Sequence, residues 1–181
     1  AAVAQGWLWS VVAAYAVNDW FPRAVSGYFH QPAALGFLLF LGTATLTAGL
    51  EYSTFAAWYR RVGTLGPVFR PLAVAAAWIS ADLGRVHLFG GDPWAIAGYS
   101  QVTMAPLAQI GELAGVHGMT FLIVAVNAAL AGLLPPRPSW RSLPLVGVLL
   151  ALAFGFGSYR LAPLDPPTGP PLSGVAASTN D

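Results

Sequence analysis

The chain has 181 residues, of which 8 are basic and 7 acidic, a charged share of 8% against about 25% in an ordinary soluble domain. Apolar side chains make up 56% and there are 20 glycines, so too few charges remain to cover a water-soluble surface; the chain reads as an all-α, polytopic membrane helix bundle. A net charge of +1 with scattered arginines excludes a nucleic-acid partner, and the lack of Cys and Lys excludes a disulfide, a thiolate metal site, a cysteine nucleophile, a Schiff base or a P-loop within these residues.

A bilayer core of about 30 Å takes about 20 helical residues. Five apolar segments approach that length: residues 1–17, 32–58, 71–89, 116–134 and 143–159. The first is slightly short and starts at Ala1 inside an apolar run, without the charged region of a signal peptide. With the stop at Asp181 just after a short apolar stretch, this reads as an internal piece of a longer protein. Arg60, Arg61 and Arg70 fall between the second and third segments, and Arg137 and Arg141 between the fourth and fifth. The connection from 90 to 115 carries Asp92 and Glu112 without a basic residue, and the first connection, with Asp19 and Arg23, is neutral. The positive-inside rule then places both arginine loops in the cytoplasm and the region after Tyr159 outside. Residues 161–174 contain Pro163, Pro166, Pro167, Pro170 and Pro171 and predict a stiff linker. Residues 175–181 suit the first strand of a further, extracytoplasmic α/β domain.

Polar residues inside the apolar segments are the candidate functional groups. Asp82 and Arg85, three apart near the outer end of the third helix, share a face. They form either a structural ion pair or a device in which Arg85 also reaches a phosphate or carboxylate of a ligand. Glu51 is expected to snorkel toward Arg60 or Arg61, with a buried functional acid as the alternative. Gln5 and Asn127 suit hydrogen bonds between helices, and Gly147, Ala151 and Gly155 suit a small-residue packing face. In the acidic connection, Gly90, Gly91 and Pro93 break the helix, while Trp94 and Tyr99 suit a lipid–water interface. Residues 104–114, with Pro106, Gln109 and Glu112, read as an interfacial or re-entrant segment ending in a turn at Gly115. His87 and His117 lack the partners of a metal site, and no cofactor is expected.

Several of these stretches occur together in a known order. They are Trp78-Ile79-Ser80-Ala81-Asp82-Leu83-Gly84-Arg85, Asp92-Pro93-Trp94, Gly98-Tyr99-Ser100-Gln101, Pro106-Leu107-Ala108-Gln109 and Gly115-Val116-His117-Gly118-Met119-Thr120-Phe121-Leu122. In that order, with Gly6-Trp7-Leu8-Trp9 ahead of them, they resemble the membrane domain of bacterial apolipoprotein N-acyltransferase. Asp82 stands where the family more often has glutamate, Asp92 replaces an apolar residue, His117 replaces tyrosine and Thr120 replaces serine.

The resemblance implies an eight-helix membrane domain carrying an extracytoplasmic nitrilase-like domain, with the five segments here as its third to seventh helices. It also implies a two-step reaction. A cysteine thiolate, with a glutamate base and a lysine, takes an acyl chain from a phospholipid and passes it to the amino group of a lipoprotein's diacylglyceryl-modified N-terminal cysteine. Those three residues would belong to the nitrilase-like domain. The present residues would anchor and position, as a monomer, with Asp82, Arg85, Pro93, Trp94, Gly98, Tyr99, Gln101 and Gln109 as the lipid-facing or structural motif. The alternative is a non-catalytic membrane scaffold or lipid-binding subunit of the same fold. A small transporter fits less well, because no pair of broken helices occupies matching positions.

Overall fold

The computed structural model describes residues 1–62, 64–88, 95–136 and 138–162. Among these the regular elements are helical throughout. In chain order they are α1 (Ala2–Asn18), α2 (Trp20–Gly27), α3 (Ala33–Ala44), a π-helical turn (Thr45–Gly49), α4 (Leu50–Val62) and α5 (Arg70–Leu88). A 3-10 turn (Ala97–Gln101), α6 (Ala105–Ala108), α7 (Gly111–Ala131) and α8 (Leu143–Arg160) complete it.

The packing is that of a protein built for lipid. Large apolar side chains point outward: Leu8, Trp9, Leu38, Leu46, Val148 and Leu152 are all exposed. The interior is filled by small ones, among them Ala44, Ala75, Ala77, Ala81, Ala125, Ala129, Ala153, Ser10 and Thr120. Where the solvent is itself apolar, burying a leucine gains little, and helices associate by bringing small-residue faces close together. A Cβ at Gly6 of α1 would meet the Tyr52 carbonyl of α4, and one at Gly157 of α8 would collide with the Pro106 carbonyl. These glycines are where elements approach to backbone distance.

Among the described residues three helices are long and apolar enough to cross a membrane: the continuous helix Ala33–Val62, Gly111–Ala131 and Leu143–Arg160. The five expected segments correspond to five helices, but α1 has 17 residues and α5 carries Arg70, Asp82, Arg85 and His87. The composition of α5 follows from its place. It packs against both α4 and α7, and its inner face (Pro71, Val74, Ala75, Ala81, Asp82 and Arg85) is buried at helical spacing. A helix enclosed by its neighbours can carry charge without showing it to lipid.

Several sequence expectations change. The first connection holds a short helix of its own, α2, packed against α3. The second segment runs on to Val62 rather than 58. Gly147, Ala151 and Gly155 do not form a packing face: a Cβ at Gly147 or Gly155 meets nothing within 4 Å, and Ala151 is exposed. The buried line of α8 is Val146, Ala153 and Gly157. Asn127 donates to Ile123 O of its own helix, 2.9 Å away, instead of bridging two helices. The break expected at Gly115 is present, with φ +59° at that residue and non-helical geometry at Ala114, a conformation suited to glycine. The linker and the strand of residues 161–181 lie outside the described residues, apart from Leu161 and Ala162.

Candidate functional site

Elements α4 and α5 are antiparallel neighbours joined by the short connection from 62 to 70. Glu51 stands eleven residues before the end of α4 and Asp82 twelve after the start of α5, so both reach the same depth, about 17 Å from that connection. The π turn immediately before Glu51 inserts extra backbone into the helix and re-aims the side chains beyond it; such bulges gather at functional sites. Glu51 Oε2 lies 2.6 Å from Arg85 Nε, and Arg85 Nη2 donates to Asp82 Oδ1 at 3.2 Å. All three residues are buried, with exposures of 6% for Glu51, 1% for Asp82 and 7% for Arg85.

The expected snorkelling of Glu51 toward Arg60 or Arg61 is therefore corrected. Arg60 is nine residues further on, about 14 Å along the axis and on the opposite face, and both arginines are exposed. The signal that identifies Glu51's partner is its equal depth with Asp82 on the adjoining helix. It becomes usable only once the helix ends and their pairing are known.

Beside the cluster is a cavity of about 120 Å³, lined by Asn18, Thr47, Glu51, Tyr52, Trp78, Arg85 and Ala95 among others. Ala95 holds a left-handed φ of +61°, a conformation costly for a residue with a Cβ. From the α1 side, Trp7 Nε1 donates to Thr45 Oγ1 at 3.1 Å, tying α1 to the π turn.

Two more of the motif pieces meet. The buried N–H of Gly98 donates to Thr120 Oγ1 at 2.9 Å, and the same hydroxyl donates to Val116 O at 3.1 Å. One hydroxyl thus serves as acceptor and donor together, a role that serine or threonine can fill. A Cβ at Gly98 would collide with Val116 O. Tyr99, next in sequence, is exposed. Gln101 Nε2 contacts Ser100 Oγ at 3.0 Å, and Gln101 lines a cavity of about 240 Å³ with Leu107, Met119 and Asn127 among others. Gln109 Nε2 donates to Ala105 O at 3.3 Å within its own turn. Pro93 and Trp94 lie outside the described residues. His87 is exposed, while His117 lines an apolar groove of about 900 Å³ between α5, α7 and α8. Among the described residues, no three His, Cys, Asp or Glu side chains gather as metal ligands.

Long-range polar contacts thus occur at two places, the Glu51–Arg85–Asp82 cluster about 17 Å from the 62–70 connection and the Gly98–Thr120 bond. Glu112 at the start of α7 pairs with Arg160 at the end of α8 at 2.7 Å, on the side where α5 ends. At the other end, Arg70 donates to Tyr59 Oη at 3.1 Å, and the connections 62–70 and 131–143 share the walls of one cavity.

Comparison with known proteins gives the same grouping. The family model described as Apolipoprotein N-acyltransferase N-terminal domain matches residues 1–129. An apolipoprotein N-acyltransferase of Pseudomonas putida is 31% identical over 183 residues, covering 97% of this chain and 35% of its own length. That of Pseudomonas paraeruginosa is 34% identical over 166 residues, 88% of this chain and 31% of its own. The one from Chromobacterium violaceum is 37% identical over 112 residues, 60% of this chain and 21% of its own. The chain thus spans about a third or less of the length of these relatives. It belongs to the apolipoprotein N-acyltransferase family, through that family's N-terminal domain.

Proposed function

We propose that this chain is the membrane-embedded part of an apolipoprotein N-acyltransferase, which anchors and positions the enzyme while the reacting groups lie elsewhere in it. The observation that carries this reading is that residues far apart in sequence meet inside an otherwise apolar bundle, Glu51 with Arg85 and Gly98 with Thr120. The acyl donor is a phospholipid and the acceptor a diacylglyceryl-modified lipoprotein, both with chains held in the bilayer. The reaction implied by the family needs a thiolate nucleophile, and with no cysteine and no lysine these residues do not supply it. Their contribution is to hold a catalytic domain at the outer leaflet of the inner membrane, where both lipids already lie, so that encounter becomes positioning within a plane.

In this reading α1, the helix 33–62, α5, α7 and α8 all cross the membrane, the arginine-bearing connections face the cytoplasm, and the proline-rich stretch leads outward to a nitrilase-like domain. Tyr99 and Gln101 form the floor beneath the active site. Gly98 and Gln109 shape its backbone, and the buried Asp82–Arg85 pair keeps it in place. The protein acts as a monomer.

The test uses the full-length enzyme and a diacylglyceryl-cysteine peptide. Tyr99→Ala is expected to weaken acyl transfer by about tenfold, a loss of about 1.4 kcal/mol of transition-state stabilisation, while leaving the protein folded. The 181-residue chain alone inserts into membranes and transfers nothing. Acyl transfer by the isolated chain, or an unchanged rate in the Tyr99 variant, overturns the corresponding part of the reading.

A further inference from the structure

Glu51 and Asp82 both address one guanidinium, at 2.6 and 3.2 Å, and all three side chains are buried. Asp82 Oδ2 is nevertheless buried with no donor reaching it among the described residues. Two carboxylates gathered on one guanidinium in an apolar bundle repel strongly, and one shared proton relieves that repulsion. One arginine neutralises one carboxylate, leaving the second as an excess charge that lipid surroundings disfavour.

We propose that Glu51 and Asp82 form a proton-binding site, holding one shared proton at neutral pH so that these two acids and Arg85 together carry no net charge. The surroundings reinforce this. The facing helix α1 has no charged residue, Tyr52 is the other titratable group of α4 at the cavity, and His87 of α5 is exposed. On α7, His117 lines a different face, with Ala76, Ile79 and Ser80. Asp92 lies outside the described residues. The bound proton makes Glu51 a positioning residue: as an acid it donates to one partner while the other carboxylate holds the guanidinium in place.

Infrared spectroscopy of the full chain in lipid nanodiscs tests this, because the C=O stretch of a carboxylic acid is resolved from that of carboxylates. At neutral pH the protein is expected to show this band, shifted by exchange into D2O. Glu51→Gln and Asp82→Asn should each abolish it, since the remaining single carboxylate is neutralised by Arg85. Absence of the band in the unsubstituted chain, or its persistence in either variant, overturns the proposal. Where one variant fails to fold, the other decides, and the readout does not depend on acyl transfer.

Discussion

Thr120 shows how much one hydroxyl can carry. It is fully buried, accepts from the Gly98 N–H and donates to Val116 O. Replacement by valine keeps the shape but leaves a buried donor unpaired, at a cost of about 1–3 kcal/mol. Thr120→Val should therefore lower the thermal unfolding midpoint in detergent, while Thr120→Ser should stay near the parent; equal midpoints for all three would remove the latch. The serine that the family more often has here, and the glycine before Tyr99, were both readable as motif pieces. That they bond to each other was not, because the partners are 22 residues apart on separate elements. The Asp82–Arg85 pair was legible from its three-residue spacing. Glu51 was not: its partner is on a neighbouring helix, and the nearest cations in sequence drew the assignment instead.

At the scale of elements, hydropathy located the long helices and proline and glycine marked the breaks, because lipid imposes a length and the backbone imposes where a helix can stop. The π turn left no such mark. Thr45–Gly49 has the composition of any apolar helix, and its effect is geometric: it sets the angle at which Glu51 leaves the axis. Deleting Ala48 alone should close the π turn into regular α-helix with Glu51 still facing Arg85, because the turn holds one residue in excess of the α register. Deleting Thr47 and Ala48 together should instead rotate Glu51 by about 100° relative to α3 and separate it from Arg85. Disrupting a buried pair typically costs about 3–5 kcal/mol. The double deletion should unfold well below the single deletion, whereas Leu46→Ala, which removes an exposed side chain in the same turn, should stay near the parent. Equal thermal midpoints for the two deletions would show that the aim of Glu51 does not matter to stability. The misassigned small-residue face of α8 has a related cause. Spacing by four defines a face but not what lies opposite it, and Gly157 meets Pro106 from a loop that no helical periodicity locates.

For the whole molecule, the decisive quantity is which end faces the cytoplasm. Arg60, Arg61, Arg70 and Arg141 all belong to the end where the connections 62–70 and 131–143 meet, and the buried cluster lies about 17 Å from it. Moving that basic end through the membrane would carry several charges across hydrocarbon at about 2.5–3.5 kcal/mol each on insertion scales, which is the basis of the proposed orientation. Because the chain has no cysteine, single substitutions report sidedness without background. Gln31→Cys and Ser100→Cys should react with a membrane-impermeant maleimide in intact cells, and Thr64→Cys and Ser139→Cys only after the inner membrane is permeabilised. That alternation requires an odd number of crossings between positions 31 and 64, 64 and 100, and 100 and 139, which α5 can satisfy only as a spanning helix despite its charges. Labelling of Thr64→Cys from outside would invert the bundle and overturn the proposed orientation.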